Sequence, residues 1–171
     1  AAYQAVLTSQ NNQSYYINSV YMSAWALFKM NRLAEADVEF IHLLDHIVGL
    51  EKVQPYEDDF DFNALNKRYV SLVNDIQRVL SISLSQQKQS SSLVQLVPHA
   101  ASENNQPQSL KYLYLYRHVL FKNLAEFLVK NDLKYDAELT YQAYMKLAPK
   151  SIWSARYALD LIDLYQQQGK N

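Results

Sequence analysis

The chain has no cysteine and only two glycines, Gly49 and Gly169, in 171 residues. The first absence excludes disulfides and thiolate metal sites and leaves the redox compartment open. The second argues against antiparallel β architectures, whose tight hairpins draw on glycine for positive φ. No apolar run approaches the roughly 18 residues of a membrane span, although 49% of the residues are hydrophobic. Neither charge sign dominates: 16 Lys and Arg stand against 17 Asp and Glu. That balance supplies no electrostatic reason to expect nucleic acid or an anionic membrane as partner. The opening "AAYQAVLTSQ" has neither a basic n-region nor a sustained apolar core, so it does not read as a secretory signal. A G-x-S-x-G elbow and a glycine-rich phosphate loop are both missing.

What the chain does have is apolar residues recurring at three and four, the helical period. The pattern predicts a short helix over Ala1–Thr8, a polar loop "SQNNQ", and a helix over Tyr15–Met30 capped by Ser14. A tight turn at "NRL" leads to a helix over Leu33–Leu50. In the loop that follows, Glu57, Asp58 and Asp59 suit the positive end of the next helix, predicted over Phe62–Gln87. A short helix over Ser91–Val97, the irregular "PHAASENNQPQ", and helices over Ser109–Lys130, Tyr135–Leu147 and Ile152–Gln168 complete the expectation of an all-α chain.

Two segments of this chain repeat. Ala24, Leu27, Ala36, Phe40 and Leu43 align with Ala125, Leu128, Ala137, Tyr141 and Tyr144. In each copy a small residue sits in the first helix and another opens the second, where close-packed backbones leave no room for more. The larger residues that follow share a helical face and reach toward the next pair. Pro149 stops the second copy. This set resembles the tetratricopeptide repeat, a family of about 34 residues per helix–turn–helix unit. The match is good for Leu124, Ala125, Leu128, Ala137, Tyr141, Tyr144 and Pro149. It is looser in the first copy, where Ser23 stands at a usually large apolar position and the closing proline is missing.

The resemblance implies antiparallel helix hairpins stacked as a right-handed superhelix, an α-solenoid without a cofactor. It divides the chain into a repeat over 15–50, a divergent helical region over 51–120, a repeat over 121–150, and the first helix of a further repeat over 152–171. The chain then reads as a segment of a longer array. In that family the first helices line a concave face that binds a peptide or helix of a partner protein. By the match, Asn18, Tyr21, Trp25, Phe28 and Lys29 line it in the first repeat, Lys122, Glu126, Val129 and Lys130 in the next, then Arg156, Leu159 and Asp163. Tyr21, Trp25 and Phe28 share a stripe that either anchors a ligand or packs on a neighbouring helix. The Lys/Asn clamp with which chaperone-binding members grip a terminal carboxylate is missing, since Tyr21, Trp25, Lys122 and Glu126 occupy the matching places. The order of segments also resembles large tetratricopeptide proteins of bacterial envelopes. That implies a periplasmic or envelope-associated interaction scaffold, with the cytoplasm as the alternative.

One motif argues for chemistry instead. In "HLLDH", His42 and His46 stand four apart on one helical face, with Asp45 as a possible third ligand of a metal-dependent enzyme. However, Leu43 replaces the glutamate base of H-E-x-x-H, and no further histidine is near in sequence. Ordinary packing or surface histidines are the expectation, and no catalytic residue is assigned. Arg117 and His118 read as two cations on the polar face of a helix. Lys111, Tyr112, Tyr114, Tyr116 and Arg117 interleave bases with aromatics, but the near-neutral total charge argues against nucleic-acid stacking. A purely structural spacer remains as a third role.

Overall fold

The computed structural model describes residues 2–51, 60–96, 110–167 and 169, with side chains from Asn12 onward. The acidic run Glu57–Asp59 and the segment "PHAASENNQPQ" lie outside the described residues. Among the described residues there are seven α-helices, one 3-10 turn and no strand. They are α1 (Ala2–Lys29), α2 (Leu33–Leu50), a 3-10 turn at Phe62–Ala64, α3 (Lys67–Ser85), α4 (Ser90–Leu96), α5 (Leu113–Lys130), α6 (Lys134–Leu147) and α7 (Ile152–Gln167). The all-α expectation is met at this level. None of these helices is long and apolar enough to cross a membrane.

Two expected boundaries are corrected. The polar "SQNNQ" is no loop: α1 runs unbroken through it, so Ser14 lies inside a helix and caps nothing. Serine, glutamine and asparagine tolerate a helix interior, and the stretch contains neither glycine nor proline to stop one. The helix expected over Phe62–Gln87 instead breaks at Leu65 and Asn66. There the Asp61 carboxylate accepts from the Asn63 amide, and the Asn66 side chain accepts from the Arg68 amide and starts α3 afresh. Asn66 thus does the capping that a sequence pattern centred on apolar periodicity overlooks.

The repeat takes the same form in both copies. Ala24, Ala36, Ala125 and Ala137 are all fully buried. Between each pair the chain reverses through one left-handed residue, Asn31 (φ 60°) and Asp132 (φ 62°). Asn and Asp are among the few non-glycine residues that accept this conformation. In each turn the next amide reaches back five residues, Arg32 N–H to the Leu27 carbonyl at 3.0 Å and Leu133 N–H to the Leu128 carbonyl at 2.8 Å. This pairing satisfies helix-end carbonyls that would otherwise lack a donor.

Packing joins α1 to α2, α2 to α3, α3 to α5, α5 to α6 and α6 to α7, while α4 rests mainly on α6. Side-chain bonds tie α1, α3, α5 and α7 edge to edge. The Tyr21 hydroxyl donates to Asp75, Asn123 donates to Gln77, and the Tyr157 hydroxyl donates to the His118 carbonyl. As expected, Tyr141 and Tyr144 reach the following helix, with ring centroids 5.3 and 5.1 Å from Tyr157. After Pro149 the Ser151 hydroxyl meets Tyr144 Oη at 3.0 Å and accepts from the Trp153 amide, so the turn is pinned from both sides. Gly49, in the last turns of α2, clears space for a neighbour: a Cβ there would lie 2.6 Å from the Tyr112 ring.

Candidate functional site

The edge-to-edge tie of α3, α5 and α7 leaves open clefts on both sides of α5. Between α3 and α5 is a cleft of about 360 Å³ lined by Asn74, Gln77, Arg78, Asn123, Glu126 and Lys130. Between α5 and α7 is one of about 380 Å³, lined among others by Lys122, Glu126, Lys130, Asp160 and Asp163. A third, of about 350 Å³, continues along α5 past Lys122 to His118 and Trp153. Lys122, Glu126 and Lys130 follow one another at four-residue spacing, so one helical face carries a plus, minus, plus stripe. Lys122 and Glu126 are 3.6 Å apart with both side chains well exposed, an arrangement that ligand charges can compete with at little cost. The clefts therefore offer charge of both signs, and the two against α3 add the side-chain amides of Asn74, Gln77 and Asn123, which present donors and acceptors together.

The structure gathers part of the groove expected from the sequence. Lys122, Glu126, Val129, Lys130 and Asp163 line these clefts. Arg156 is exposed on α7 and covers the Trp153 ring, its guanidinium carbon 4.4 Å from the centroid. Asn18 and Lys29 are exposed on α1, well away in sequence and element from the α5 clefts. Tyr21, Trp25 and Phe28 do fall on one stripe, and it is half-buried: Trp25 stands edge-on to Tyr21, Phe28 and Phe40 at 6.3, 5.5 and 6.3 Å. These rings support the α1–α2 hairpin. The Tyr21 hydroxyl is engaged with Asp75, and burial together with that carboxylate pushes it above its ordinary range.

The HLLDH residues disperse. His42 is exposed, while the carboxylate of Asp45 turns to α5. It accepts from the amides of Lys111 at 3.0 Å and Tyr112 at 2.8 Å, and lies 3.4 Å from the Tyr116 hydroxyl. A negative group there also meets the positive end of α5. Burial raises the Asp45 carboxyl above its ordinary range, and the two backbone donors hold it down in part. His46 is half-buried against the Tyr16 ring, 4.8 Å away, and its Nε2 has no hydrogen-bond partner. Burial lowers its pKa, against the pull of Asp45. Among the described residues no three His, Cys, Asp or Glu side chains converge as metal ligands. Asp45→Ala is accordingly expected to destabilise the fold by about 1–3 kcal/mol through two stranded backbone donors. Urea denaturation with and without added zinc checks this, and the same loss should appear in both.

Arg117 and His118 do not form the expected pair of surface cations. His118 is buried between α5 and α7, stacked on Trp153 at 4.2 Å between centroids. Burial, with Arg117, Lys122 and Arg156 around it, lowers its pKa to about 4, so the ring is neutral. A second buried group escaped the sequence reading altogether. Asp37 of α2 is fully buried and accepts from Gln87 Nε2 at 2.7 Å. Burial raises its pKa to about 6, although bonds from Ser83 and Gln87 oppose the rise. The only hint of it in the sequence is an aspartate directly after the buried Ala36. Compared with family models, curated proteins and solved structures, the chain matches none of them, so a role has to be read from the clefts themselves.

Proposed function

We propose that this chain is a segment of a tetratricopeptide-like protein-interaction scaffold. It binds an extended peptide or a helix of a partner protein along α5, between α3 and α7. One observation carries this reading: three clefts converge on the stripe Lys122, Glu126, Lys130, all with charges of both signs among their lining residues and two of them with the side-chain amides of Asn74, Gln77 and Asn123. The hairpins with paired buried alanines and left-handed turn residues favour the tetratricopeptide assignment, as do the lateral ties among α1, α3, α5 and α7. Such a surface is preformed, so a ligand bears most of the ordering cost and the scaffold little. We place it in a bacterial envelope complex, on the order of its segments.

Selection of a displayed peptide library on the immobilised protein tests the proposal. Enriched peptides are expected to bind in the micromolar range. Lys122→Ala with Glu126→Ala should weaken them roughly tenfold or more, with the melting temperature unchanged because both side chains are exposed. Peptides indifferent to those changes but sensitive to Trp25→Ala at unchanged stability would move the site to α1. A library that enriches nothing would leave the spacer role.

A further inference from the structure

The cleft between α5 and α7 has a chemistry that narrows what it can hold. Three carboxylates line it, Glu126 from α5 and Asp160 and Asp163 from α7, against two ammonium groups, Lys122 and Lys130. One of those ammonium groups is engaged already, since Lys122 stands 3.6 Å from Glu126. Among the described residues Asp160 and Asp163 have no ion-pair partner. Arg156, one helical turn before Asp160, is laid on the Trp153 ring instead. Asp160 is half-buried, and a carboxylate drawn out of water without a cation beside it is costly to keep. The neighbouring cleft between α3 and α5 has the reverse balance, with Arg78 and Lys130 against Glu126.

A second observation, independent of the charge count, comes from Tyr141. It enters the cleft from α6 and is only 5% exposed. Its hydroxyl nevertheless has no hydrogen-bond partner among the described residues. Buried tyrosine hydroxyls ordinarily find one, and those of Tyr144 and Tyr157 do. Burial, with the charges of Asp160 and Glu126 nearby, pushes the Tyr141 hydroxyl well above its ordinary range. It therefore stays neutral, with lone pairs to offer a donor. Unpaired carboxylates and an unpartnered acceptor on one cleft suit a cation that donates hydrogen bonds. A bare metal ion does not fit, because among the described residues no three acidic groups converge as ligands. A cation on a stem does, since Val129 and Leu164 line the same cleft and give methylene groups an apolar wall.

We propose that the cleft between α5 and α7 is a specificity pocket that takes a lysine or arginine side chain of the partner. The charged head lies among Glu126, Asp160 and Asp163, the Tyr141 hydroxyl accepts from it, and the stem follows Val129 and Leu164. This rests on the peptide-binding reading above and adds the residue type that the partner must carry. In the repeat reading the cleft lies between two first helices, a side that a further second helix leaves open.

An array of random-sequence peptides, probed with the labelled whole chain, supplies the ligands. Each binding peptide is then resynthesised with its lysines and arginines changed in turn to methionine, which keeps an apolar stem and removes the charge. Binding peptides are expected to carry one basic residue whose change weakens them about tenfold or more. Asp160→Asn should weaken the parent peptides by a similar factor and the methionine forms hardly at all, because that pair is already broken. Asp160→Lys should exchange the preference, so that glutamate at the same peptide position restores binding. Tyr141→Phe should weaken the parents and leave the melting temperature unchanged or raised, since its hydroxyl bonds to nothing inside the described chain. Where Asp160→Asn lowers the melting temperature, Asp163→Asn, at an exposed position, carries the same comparison. Peptides with no basic requirement that still weaken in Lys122→Ala with Glu126→Ala overturn the pocket and leave the groove standing. So does a basic residue whose loss adds to those of Asp160→Asn and Asp163→Asn in full. An array that binds nothing overturns both readings.

Discussion

Tyr144→Ala is expected to lower the free energy of unfolding by about 3–5 kcal/mol, the range for deleting a fully buried aromatic side chain. Tyr144 has no exposed surface, and its ring centroid lies 5.4 Å from Phe121 and 5.1 Å from Tyr157. It is therefore a side chain through which α6 meets both α5 and α7, so its deletion opens a cavity where the three helices join. Tyr144→Phe keeps the ring and removes the contact to Ser151 Oγ, so about 1 kcal/mol is expected. Tyr135, 66% exposed at the start of the same helix, serves as the control. Its change to alanine should stay within about 0.5 kcal/mol. Urea denaturation followed by circular dichroism separates these three outcomes. Equal effects from Tyr144→Ala and Tyr135→Ala would mean that the tyrosines of α6 are decoration and that packing lies elsewhere.

That contrast between two tyrosines on one helix also shows what was legible in the sequence. The small residues Ala125 and Ala137 and the reach of Tyr141 and Tyr144 follow from spacing alone. Spacing reports the face of a helix, and each hairpin buries one face locally. The tight turn at "NRL" was legible too, whereas the left-handed conformation of Asn31 and of Asp132 appears only in the structure. Continuous polar helix was not. "SQNNQ" continues α1 because nothing in it breaks a helix, and an apolar period has no way to register that.

Long-range pairings were illegible for a different reason. Asp45 accepts from amides 66 and 67 residues further on, and Tyr157 donates to a carbonyl 39 residues earlier. A local pattern sees Asp45 only as a neighbour of His42 and His46, so it suggests ligation where the fold uses a carboxylate to receive α5. The cleft residues on α5 were placed through their register in the repeat. Asn74, Gln77 and Arg78 were missed because α3 lies in the region that departs from that repeat.

Two of the buried groups titrate in the same pH range with opposite sign. Burial lets Asp37 keep its proton to higher pH, its pKa raised from 3.8 to about 6. A carboxyl raised in this way contributes stability on the acid side, present in full below the unfolded value and lost as pH rises through about 6. His118 is held neutral, its pKa lowered from 6.5 to about 4. Its contribution is present above 6.5 and is lost as pH falls toward 4. Between about pH 6.5 and pH 4.5 each amounts to about 2 kcal/mol, so in the wild-type chain they largely offset one another. Asp45, raised, and His46, lowered, repeat the opposition in the same directions. The stability of the unaltered protein should therefore change little across this window, while single substitutions should reveal a slope. Asp37→Asn removes the acid-side gain and should lose about 2 kcal/mol on acidification. His118→Phe keeps an aromatic ring on Trp153 and should gain a similar amount. Urea denaturation of the three proteins at about pH 4.5, 5.5 and 6.5 reads these slopes directly. Parallel profiles for all three would mean that neither group is shielded from water as its burial requires. Opposite slopes would identify a core whose indifference to pH arises from two compensating strains, in α2 and α5, rather than from an absence of titratable groups.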